Sequence, residues 1–121
     1  ADKMKKYIAE GDYRKAFERL INNHSQEAEI CRHFLLNYIV YSLYATKEVG
    51  YTIEAADDVM ATGFNWCPPL AMYQALSMIV DVPSLIRETL PDVCNKINIE
   101  ELLAEVKPSN YDYRRYFKSG R

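Results

Sequence analysis

Apolar residues recur along most of this chain at three- and four-residue spacing, and no alternating run of β-branched residues is long enough for a strand. The pattern predicts an all-α domain. Behind Asp12, whose carboxylate suits a helix N-cap, Tyr13, Ala16, Phe17, Leu20 and Ile21 fall on one face. Ser25, just after His24, is the expected cap of a long helix over 26–49. There Ile30, Phe34, Leu35, Tyr38, Ile39, Ser42 and Ala45 make one apolar side, while Cys31, Tyr41 and Tyr44 make the opposite side apolar as well. A helix that is apolar over more than half its girth belongs at the centre of its domain or against a partner.

The stretch 52–72, TIEAADDVMATGFNWCPPLAM, is the most structured in pattern. Thr52 is the expected cap of a helix carrying Glu54 and Asp57 near its positive end, with Ala56, Val59 and Met60 on one face. Gly63 suits a left-handed stop. Phe64, Asn65 and Trp66 form an aromatic turn. Pro68 and Pro69 suit the first turn of the next helix, whose stripe is Leu70, Tyr73 and Ser77. Asp81 and Pro83 then open a short helix that Pro91 ends. Asn98 and Glu101, three apart, form a capping-box pattern for a last helix bearing Ile99, Leu102, Leu103 and Val106 before Pro108. Residues 109–121 make an extended aromatic and basic tail.

With 121 residues, 1–121 is expected to be a single helical domain, too small to hold a dinucleotide-binding domain as well. Fifteen basic and seventeen acidic residues are interspersed, so no net field favours nucleic acid or an anionic membrane, and neither is an expected partner. The basic tail residues Arg114, Arg115, Lys118 and Arg121 do not change that balance. No apolar run reaches the ~20 residues of a membrane span, and Cys31, Cys67 and Cys94 are odd in number and widely spaced, so reduced thiols and a cytoplasmic location are expected. No metal is expected, since there is no C-x-x-C pair and only His24 and His33 to assist. The chain begins at Ala1 with charged residues following, as an excised segment of a longer protein would.

The 52–72 stretch resembles the C-terminal domain of 3-hydroxyacyl-CoA dehydrogenases. Asp57, Asp58, Val59, Met60, Gly63, Phe64, Asn65, Trp66 and Pro69 carry the likeness. The long helix before it adds Glu29, Arg32 and Asn37, similar to the E-x-x-R-x-x-x-x-N pattern of the duplicated, non-catalytic copy of that domain. The chain departs from the family at Pro68 and Pro69, where members carry Gly-Pro, and over 71–75, where they carry an acidic residue. The resemblance covers about half of the chain. It implies a compact multi-helix domain of the 6-phosphogluconate dehydrogenase C-terminal-like type with a long central helix. It also implies a homodimer, an acyl-CoA substrate, and NAD held in an N-terminal dinucleotide-binding domain of the same protein. The tail would run as a strip over the domain surface.

The candidate substrate contacts are Asn37, Asn65 and Trp66, the indole suited to stacking on an adenine or lining an acyl pocket. The candidate interface is the tyrosine set Tyr38, Tyr41 and Tyr44. No catalytic residue is expected in this chain. Gly11, Gly50, Gly63 and Gly120 are isolated, so they build neither a dinucleotide fingerprint nor a phosphate loop, and in the family the catalytic His-Glu pair lies in the other domain. His24 and His33 accompany no recognisable nucleophile turn. Cys67, ahead of a helix, is the most reachable thiol. The competing reading is a free-standing helical interaction module: YIAEGDYRKAFERL looks like a tetratricopeptide junction, although it occurs once where a solenoid needs at least three copies.

Overall fold

A computed structural model describes residues 12–63 and 67–106, together with Lys6, Tyr7 and Glu10. Among these residues every regular element is helical. Helix α1 (Tyr13–Asn22) opens on Asp12, whose Oδ1 accepts from the Lys15 amide at 3.1 Å. Helix α2 (Gln26–Glu48) opens on Ser25, whose Oγ accepts from the Ala28 amide at 3.2 Å. Both caps stand where the polar residue precedes the apolar periodicity, because a side-chain oxygen there satisfies an amide that the helix leaves free.

Helix α2 stops by a Schellman closure. The Gly50 amide donates to the Lys47 carbonyl at 2.9 Å and the Tyr51 amide to the Thr46 carbonyl at 3.1 Å. Gly50 has φ +92, a left-handed conformation that costs glycine little.

The next segment differs from the single helix expected over 52–63. It is a 3₁₀ turn (Ile53–Ala55), a short α turn, α3 (Ala56–Asp58), and a π turn (Val59–Gly63). Thr52 is extended and makes no side-chain cap. The chain then resumes as α4 (Pro69–Ser77), α5 (Val82–Thr89), α6 (Pro91–Lys96) and α7 (Ile99–Ala104). Pro91 therefore both ends one helix and opens another, as its fixed φ permits at a first turn. Asp81 and Asn98 cap as expected, accepting from the amides of Ser84 at 3.3 Å and Glu101 at 3.1 Å.

Helix α2 is central: it packs on α1, α3, α4, α5, α7 and the 3₁₀ turn. Its inward face is Ala28, Leu36, Ile39, Val40, Leu43 and Thr46, all buried. Ile30 and Phe34, expected on the same apolar side as Leu35 and Ile39, are exposed, Phe34 by 71 %. Buried Ser42 and Thr46 donate to carbonyls of their own helix, at Ile39 and Ser42, so their hydroxyls cost the core no unmet hydrogen bond.

Around this axis Phe17, Leu36, Ile39, Leu43, Leu70, Leu76 and Ile86 are almost fully enclosed. The ring of Phe17 stacks with that of Tyr13 at 6.0 Å between centroids. Truncating Phe17 removes a whole ring from a packed interior, so Phe17→Ala should lower unfolding free energy by about 3–5 kcal/mol, read from urea titrations.

Candidate functional site

The corner between the π turn and α4 poses a capping problem that its own residues do not solve. Pro68 stands at the N-cap of α4 with no side-chain oxygen to offer, and Pro69 follows at the first helical position. The amides of Leu70 and Ala71 would thus be left free inside the protein, where an unmet donor costs on the order of 1–3 kcal/mol.

Asp57 supplies the missing acceptor. Its Oδ1 accepts from the Leu70 amide at 2.6 Å and its Oδ2 from the Ala71 amide at 3.2 Å. The carboxylate is only 6 % exposed. It sits against the N-terminal end of α4, where the helix dipole adds to the hydrogen bonds. Asp57 therefore caps the following helix, not the positive end of its own as the sequence spacing implies.

Tyr38 joins this corner from α2. Its hydroxyl donates to the carbonyl of Cys67, the residue just before Pro68. The phenol is half-buried, and its pKa is pushed well above the ordinary tyrosine value, first by burial and then by the negative charges of Cys67 and Asp57 nearby. Tyr38, Asp57 and the start of α4 thus form one unit that fixes where the chain resumes at Cys67.

The candidate site residues separate. Asn65 and Trp66 lie outside the described residues, as does the tail over 109–121. Asn37 is half-buried on α2, one residue from Tyr38 but about 100° away around the helix. Tyr41 and Tyr44 are exposed, whereas Tyr38 is turned inward to Cys67, so the expected tyrosine set is split between an outer face and an inner tie.

Arg32, which stands in the family-like pattern with Asn37, reaches back to α1: its Nη1 donates to the Leu20 carbonyl at 2.8 Å and the Asn23 carbonyl at 2.6 Å. That guanidinium closes the C-terminal end of α1, a structural task. Cys31 and Cys67 are exposed and Cys94 is half-buried, all as free thiols.

Sequence reasoning missed the Asp57 cap because partners thirteen positions apart are invisible to local spacing. The signal was nonetheless present: a helix opening on two prolines, with no Ser, Thr, Asp or Asn before it, needs a cap from elsewhere, and an acidic residue on the apolar face of the preceding turn is the obvious donor of one.

The arrangement defines a class: an all-α domain wound on one long helix, with a buried carboxylate pinning the corner beside it. Among the described residues no single helix is long and apolar enough to cross a membrane, and no group of three His, Cys, Asp or Glu side chains converges as a metal site. No family model, curated protein or solved structure matches the chain.

Two measurements test the corner. Asp57→Ala should cost about 2–4 kcal/mol of unfolding free energy and Asp57→Asn, which keeps one acceptor oxygen, clearly less; a loss under about 1 kcal/mol for the alanine variant would refute the cap. Tyr38 carries a raised pKa in the folded state, so its stabilising contribution is complete below pH ~10, where a free tyrosine is still protonated, and is lost as pH rises from there toward its folded value. Tyr38→Phe should therefore show a shallower loss of stability between pH 10 and 11.5 than the parent chain, by up to one proton's worth, about 1.4 kcal/mol per pH unit.

Proposed function

We propose that this chain is the helical C-terminal domain of a 3-hydroxyacyl-CoA dehydrogenase-like protein, of the 6-phosphogluconate dehydrogenase C-terminal-like type. Its work is assembly and closure: it forms the subunit contact and covers an acyl-CoA substrate held against NAD by a separate N-terminal dinucleotide-binding domain. The observation that supports this reading is the Asp57 corner. Within the stretch that carries the family resemblance, Asp57 is bonded to the amides that follow Pro69, and Tyr38 of the long helix before it is bonded to Cys67, so these elements are tied in one corner. A corner fixed by hydrogen bonds is a suitable base from which a connecting segment can meet a ligand.

The same reading assigns the chemistry elsewhere. NAD supplies hydride transfer when bound, and this chain's residues position and enclose without reacting. Arg32, occupied with the end of α1, is a structural residue, and the exposed Tyr41 and Tyr44 belong to the subunit contact.

The test is to read the coding sequence around this segment, express it joined to any dinucleotide-binding domain encoded there, and follow NADH oxidation with acetoacetyl-CoA. The joined protein should turn over, and the 121-residue chain alone should not. Robust reduction by the chain alone, or none by the joined protein, would overturn the proposal.

A further inference from the structure

We draw no further inference here: the strongest candidate, the exposed stripe of Ile30, Phe34, Tyr41 and Tyr44 along the outer face of α2, carries nothing beyond the subunit contact proposed above, because nothing in the structure shows what covers it.

Discussion

A carboxylate buried at the start of someone else's helix is the interaction on which the corner of this domain turns. Asp57 lies within one short helical turn, yet its two oxygens accept from the amides of Leu70 and Ala71, thirteen and fourteen positions further along the chain. Without it, α4 would begin with free donors in an apolar surround, and the buried Leu70, Ala71, Met72, Ala75 and Leu76 that α4 brings to the core would be poorly placed against α1 and α2. The hydrogen bonds matter less for their own strength than for what they allow to be buried.

Much of the helical framework was legible in the sequence, and the reasons are local. Asp12, Ser25, Asp81 and Asn98 each sit one residue before a periodic apolar run, and each caps the helix it precedes. The stripe of α1 holds because only one face of a surface helix can reach the core. For α2 the pattern is ambiguous: a helix apolar over most of its girth does not reveal which side is the inner one, and Ile30 and Phe34, grouped with Leu35 and Ile39 by spacing, are exposed. The segment over 53–63 defeated a simple reading because 3₁₀, α and π turns differ in hydrogen bonding and not in residue type. The Asp57 cap had no local signature, because its partners lie thirteen and fourteen positions away.

The two sides of α2 carry different kinds of information. The inner side is fixed by volume: Leu36, Ile39, Val40 and Leu43 are enclosed, and the two hydroxyls among them turn back onto their own helix. The outer side leaves Ile30, Phe34, Tyr41 and Tyr44 exposed, which volume does not dictate. Tyr38 stands between them, half-buried, and links the long helix to the corner through the Cys67 carbonyl, so a displacement of either is felt by the other.

The π turn at Val59–Gly63 has a consequence for how this domain can change in evolution. A π turn is a helical turn widened by one residue, and here it lies between Asp57 and the two amides that Asp57 must reach. Removing a residue there would tighten the turn and swing everything after it by roughly 100° about the helix axis, carrying Leu70 and Ala71 away from the carboxylate. Insertions and deletions should therefore be absent from this interval in any lineage that keeps the corner.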